Sequence, residues 1–281
     1  MNAFRQRAML AHCAVTRWNP RVLDRKVTAD IQNSHAATTD SGDFRKALVD
    51  KSAVKDLNAS AGAIRALHYK LTLPWDDEGA RLLPTRSFQK YTDEMRALNQ
   101  ADERLRDAFI AMYPTLVLNA KARLGTMYDP EDYPAANEVL GKFSVKLTFT
   151  PVPDAADFRL EVSDEIADEL RTQLVSEQDA KFQNAMRDCY KRVESVVTTL
   201  SKTLRKEEPR IFASLVGNAR ELVECMTNLN VANDADLEAV RASLDAILPA
   251  SSDALKNNPN LRKRVADDAD ELLAKLAGRT K

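Results

Sequence analysis

At 281 residues the chain has room for one large domain or two modest ones. Its composition (44% apolar, 30% charged, 6% aromatic) excludes collagen-like, low-complexity, wholly disordered and integral membrane chains. The 41 basic and 42 acidic side chains leave a net charge of −1, so the molecule as a whole has no large attraction for nucleic acid or an anionic membrane.

Scarce glycine beside abundant Ala, Leu, Asp, Arg and Lys suits long helices. Met1 to Arg7 leads only into the short mixed stretch Ala8 to Val15, which lacks the apolar core of a signal peptide. No run of about 18 apolar residues offers a transmembrane helix, and the expected location is the cytoplasm, with no membrane partner. Met9 to Val15 and Val22 to Ile31 have weak strand character on either side of a turn at Trp18-Asn19-Pro20. Asn33 to Ser41 is small and polar and reads as a loop whose Asp40 or Ser41 caps the next element. From Asp43 the residues Phe44, Leu48, Val54, Leu57, Ala61, Ile64 and Leu67 recur at helical spacing and predict about 30 residues of helix, to about Lys70. Leu73-Pro74 to Gly79 stops it.

A second helix is predicted from about Arg86 to Arg123 on the stripe Phe88, Tyr91, Met95, Leu98, Leu105, Phe109 and Met112. Pro114 is expected to kink or split it and to leave Thr115 to Leu124 as an offset continuation. The two helices read as an antiparallel hairpin. Gly125 ends the second, and Tyr128 to Pro134 forms a rigid turn before a short helix to about Leu140. Strict alternation then places Phe143, Val145, Leu147 and Phe149 on one face, and Phe158 to Val162 alternates likewise, so residues 143–162 read as a β-hairpin that must pack on a helix, join residues 8–31 in a small sheet or meet another subunit. Ser163 is a good cap for a helix of about 40 residues, to Lys206, carried by Ile166, Leu170, Leu174, Phe182, Met186, Tyr190, Val193, Val197, Leu200 and Leu204. Pro209 fits the first turn of a helix to about Asn228. Two shorter helices, Asp234 to Leu248 and Asn260 to Leu276, complete the chain. The expected fold class is mainly α: an elongated antiparallel bundle of long helices with a central β-hairpin in a small sheet, divided into a long-helix region (1–208) and a C-terminal helical region (209–281).

The chemistry-bearing patterns are few. Neither GxxxxGK[ST] nor GxGxxG occurs, which argues against a phosphate-cradling loop. His12, His35 and His68 lie in three different elements without paired spacing, and Cys13, Cys189 and Cys225 form no CxxC, so structural histidines and free core thiols are the expected roles. The acidic turn Trp75-Asp76-Asp77-Glu78 lacks the alternate oxygen spacing of a calcium loop. No catalytic, cofactor-binding or metal-ligating residue is assigned, and no enzyme activity or cofactor is expected.

Charge segregation carries more. Six basic side chains against one acid fall in residues 1–26, seven acids against one base in 161–179, and eight bases against four acids in 181–210. Arg5, Arg7, Arg17, Trp18, Arg21, Arg25 and Lys26 are therefore the candidate contacts to nucleic acid or to a partner. Trp18 and Phe4 are the candidate stacking platforms for bases, and head-to-tail docking of basic on acidic patches is the alternative.

The Trp18-Asn19-Pro20-Arg21 turn, the long helical hairpin, the Tyr128 to Pro134 turn and the hairpin Phe143 to Val162 together resemble an uncharacterised family of phage- and mobile-element-encoded proteins that carries only a domain-of-unknown-function label. The resemblance covers most of residues 10–200. Such families often occur beside MoxR- or CobS-like AAA+ ATPases or recombination genes, which implies an adaptor or accessory role. The resulting expectation is a non-enzymatic structural or adaptor protein that forms a homo-oligomer or joins a protein partner such as an AAA+ ATPase. The alternative is a nucleic-acid-binding accessory of phage replication or recombination. An α-helical pore-former is disfavoured by Lys146, Arg159 and Glu161 on the hairpin's polar face.

Overall fold

The structure is a computed structural model and describes residues 4–153 and 164–280. It is mainly helical, with a small antiparallel sheet. The chain groups into two compact units. One takes up Met1–His12, His68–Tyr91 and Thr148–Lys281; the other takes up Cys13–Leu67 and Thr92–Leu147.

The first unit holds most of a four-stranded sheet. β1 (Ala8–Thr16) pairs antiparallel with β5 (Ala80–Pro84), with Met9 opposite Leu83 and His12 opposite Ala80. The short β4 (Leu73–Pro74) pairs with β5 on the far edge, and β6 (Ser144–Pro151) lies beside β1. The segment read as a helix stop is thus a strand pair. Asp76 shapes its turn, since its Oδ1 accepts from the N–H groups of Glu78 and Ala80, and Gly79 takes φ +97°, open to glycine at no steric cost. β6 alternates half-buried Val145, Leu147 and Phe149 with exposed Ser144, Lys146 and Thr148, as the period-2 pattern requires, and it joins residues 8–16 in the sheet. Phe158 to Val162, the expected second strand, and Ser163, the expected cap, lie outside the described residues.

Five helices complete this unit: α5 (Asp164–Leu204), α6 (Ala213–Leu229), α7 (Ala235–Ile247), α8 (Ser252–Asn257) and α9 (Pro259–Leu276). The 41-residue α5 packs against α6, α7 and α9. Leu200, Leu204, Ile211, Val216, Leu255 and Val265 form one core among them. α6 starts four residues after Pro209, because Ile211 is drawn into that core ahead of the helix. α8 was not anticipated; the Ser251 hydroxyl accepts from the Ala254 N–H and caps it, and Leu255 is fully buried. Phe4 stacks on Phe182 with ring centroids 4.3 Å apart.

The second unit is built on α1 (Arg25–Ser34), α2 (Lys55–Leu71), α3 (Phe88–Leu124) and α4 (Ala136–Leu140), with a two-stranded ladder of β2 (Arg21–Leu23) and β3 (Arg45–Ala47); α2 begins here and α3 ends here. Of the expected strand Val22 to Ile31 only Val22 and Leu23 lie in β2. Asp24 then accepts from the Val27 N–H and starts a helix, so an N-cap overrides weak strand propensity. The helix expected from Asp43 is 17 residues long and begins only at Lys55. Arg45–Ala47 pairs with β2, and Asp50, not Asp40 or Ser41, caps a 3₁₀ turn by accepting from the Ser52 N–H. α3 runs unbroken through Pro114 for 37 residues. Pro114 is exposed, so water can satisfy the carbonyl that its missing N–H leaves without a partner.

The core of this unit is Trp18, Leu48, Val49, Leu57, Phe109, Tyr113, Val139 and Phe143. The turn after α3 folds back onto it: Tyr133 donates to the Leu48 carbonyl and Tyr113 to the Pro134 carbonyl, both at 3.0 Å. Lys46 is 7% exposed and lies 2.7 Å from Asp132 and 3.5 Å from Asp24, while its ammonium donates to the Met127 carbonyl. Burial alone would lower its pKa, but the hydrogen bond to Asp132 and the two carboxylate charges together hold it above the ordinary 10.5.

Candidate functional site

The seven basic-segment residues do not form one site. Arg5 donates to the Gln178 Oε1 at 2.6 Å, and Gln178 in turn donates to the Pro153 carbonyl, so Arg5 helps pin α5. The Arg7 carbonyl accepts from the backbone N–H and the hydroxyl of Thr85. These two residues belong to the first unit.

In the second unit, Arg17 is ion-paired with the buried Asp102 at 2.5 Å. Trp18 is 7% exposed, with the rings of Tyr113 and Phe109 at 5.6 and 6.0 Å. Trp18 and Phe4 are therefore core rings and present no free face to a base. Arg21, Arg25 and Lys26 remain exposed, the first on β2 and the others in the first turn of α1.

The polar interior of the first unit is centred on the end of α2. Thr72 donates its hydroxyl to the His68 carbonyl at 2.5 Å, Arg81 Nε donates to the Thr72 hydroxyl at 2.8 Å, and Arg192 donates to the carbonyls of Lys70 and Thr72 at 3.1 and 2.7 Å. Two guanidinium groups thus satisfy the carbonyls that a helix C-terminus leaves open and complement its negative dipole end. Asp188 accepts from Arg192 at 2.6 Å. His68 Nδ1 lies 2.8 Å from the Tyr91 hydroxyl, and burial, with the charges of Arg81 and His12, pushes its pKa down to about 4. A neutral imidazole accepting from tyrosine is the consistent state.

Beside this cluster a groove of about 440 Å³ runs between α5 and α6, floored by Val196, Leu222 and Cys225. The Lys70–Glu221 ion pair (2.7 Å) stands at its mouth. Burial raises the Cys225 and Cys189 thiols, the latter to about 12, and all three cysteines are free. Neither thiol has the lowered pKa of a nucleophile. Among the described residues no group of three His, Cys, Asp or Glu side chains is placed to hold a metal ion.

The most informative surface is on α3 and is one that periodicity did not reveal. In the first part of the helix the exposed positions are mostly polar and include Asp93, Arg96, Glu103, Arg104 and Asp107. From Ala108 to Ala122 one exposed face, at spacings of three and four, reads Ala108, Ala111, Met112, Thr115, Leu118 and Ala122 with no charge. Leu118 is 75% exposed and Met112 is 51% exposed. Met112, which helical spacing places in the buried stripe, lies beside that stripe on the outer face.

Exposed large apolar side chains are ordinary when scattered; here two of them share one uncharged helix face. No described helix is long and apolar enough to cross a membrane. Comparison with protein-family models, curated proteins and solved structures gives no match to this chain.

Proposed function

We propose that this chain is a non-enzymatic structural or adaptor protein that works by docking helix faces onto another protein chain. The observation that carries this reading is the uncharged face of α3 from Ala108 to Ala122. Displaying Leu118 and Met112 to water gives the isolated chain nothing, whereas covering them releases roughly 1.5 to 3 kcal/mol per large side chain. The charged groups around Thr72 support the same reading. They are satisfied by one another and by the end of α2, as in a structural cluster, and they hold no poised nucleophile or general base.

The test is sedimentation velocity combined with co-purification from the native host, comparing the natural chain with Leu118→Asp. Assembly or partner retention that the substitution weakens supports the reading. A chain that is monomeric, and that retains the same proteins with and without Leu118, refutes it.

A further inference from the structure

The occupant of the α3 face can be argued from the face itself. Thr115 lies at its centre, and the residues around it are arranged so that the helix complements its own reverse. In an antiparallel pair related by a two-fold axis at Thr115, a position i lies level with 230 − i of the other copy, and each flank of the stripe meets the same flank of its mate. Leu118 then falls beside Ala111 and Met112 beside Asn119, so each large side chain meets a smaller one, the arrangement that ridge-into-groove packing needs. On one flank Asp107 of one copy lies within reach of Lys121 of the other, and symmetry makes this contact twice. Both are exposed; Asp107 is 64% exposed and its present ion pair is with its neighbour Arg106. A parallel pairing gives no such contact, because Asp107 is then level with Asp107 and Lys121 with Lys121, each on the opposite flank from its mate.

We propose that the exposed α3 face docks on the same face of a second copy of this chain, antiparallel, with the two-fold axis at Thr115. This rests on the assembly reading above and gives it a partner and a register. The face spans about 22 Å of helix at 1.5 Å per residue, which is at the small end for a specific interface, so self-association falls in the micromolar range.

The experiment uses the full chain. Sedimentation from about 1 to about 200 micromolar should show monomer passing to dimer, and Leu118→Asp should weaken the dimer by at least about tenfold. Asp107→Lys and Lys121→Asp should each weaken it, and the two together in one chain should restore it. Under mild oxidation Thr115→Cys should form an interchain disulfide beyond the natural-chain background, and Gln100→Cys, exposed on the same helix outside the face, should not.

A dimer that survives Leu118→Asp and gives no Thr115→Cys cross-link overturns this proposal and leaves the assembly reading standing on another surface. A chain that stays monomeric, yet loses a co-purifying protein on Leu118→Asp, overturns it in favour of a different partner. Failure of the double charge swap to restore the dimer overturns the register.

Discussion

Phe109 and Met112 lie three residues apart on α3 and periodicity assigns both to one apolar stripe, yet Phe109 is 1% exposed and Met112 51%. Substituting each by alanine separates core from surface. Phe109 sits among Phe143, Trp18 and Tyr113 at ring-centroid distances of 5.8, 6.0 and 6.1 Å. Removing a buried phenyl ring withdraws roughly 150 Å² or more of apolar area, worth about 4 kcal/mol at ~25 cal/mol/Å², in line with the ~3 to 5 kcal/mol that Phe→Ala costs in cores. Met112→Ala should change stability by less than about 0.5 kcal/mol.

The unit that holds Phe109 contains Trp18, and the chain's other tryptophan, Trp75, belongs to the first unit. A Trp75→Phe background therefore makes urea unfolding followed by tryptophan fluorescence a report on the second unit. With a slope of about 2 kcal/mol/M, the Phe109→Ala midpoint should fall by about 2 M. Equal, small shifts for the two substitutions would refute this packing of Phe109.

Trp18→Ala should destabilise the same unit by about 3 to 5 kcal/mol, read by circular dichroism, and leave any nucleic-acid affinity of the folded protein unchanged in gel shifts. Lys46→Met should cost about 2 to 3 kcal/mol, because it leaves Asp24 and Asp132 without their cation. With its pKa raised, Lys46 contributes fully below pH 10.5 and loses that contribution as pH rises past the folded value, so alkaline unfolding should be less steep in the variant. His68 runs the other way: its folded pKa of about 4 lies below the ordinary 6.5, so the unfolded chain binds the proton first. Stability of the first unit should then fall by up to about 3 kcal/mol as pH drops from 6.5 towards 4, a dependence that His68→Gln should flatten. Cys189, buried with its pKa near 12, should react with thiol reagents only when the chain unfolds.

Elements whose whole length obeys one period were legible. α5, β6, α7 and α9 match the apolar spacing within a residue or two at the ends described, because a sustained stripe leaves one way to bury it. The errors fall where a short polar side chain decides. Asp24 turns a strand-like run into α1, Asp50 delays α2 until Lys55, and Ser251 opens α8 in what read as a spacer. Each makes one hydrogen bond to a backbone N–H, and such a bond is invisible to a pattern that counts apolar residues. The β4–β5 pair was hidden for the opposite reason. Pro74 and Gly79 do break a helix, but the break is also a hairpin turn, and only the pairing of Leu73 with Leu82 distinguishes the two.

The candidate surface was illegible because attention to charge looks for excess, and the α3 face is marked by the lack of it. The basic residues from Arg5 to Lys26 were conspicuous in sequence, yet the fold uses Arg17 for an ion pair and Trp18 for the core, and it sends Arg5 to Gln178. An arginine near an aspartate that is distant in sequence carries no sign in the sequence that it is already neutralised. By contrast, Leu118 and Met112 disappear into a helix that is apolar on its inner side as well, and periodicity alone does not say which apolar stripe a monomer buries. Exposure decides it: Tyr113 and Ala120 at 3% and 1% face the core, and Leu118 at 75% does not. The second stripe stays in water in the monomer, and its covering is what the proposed assembly would supply.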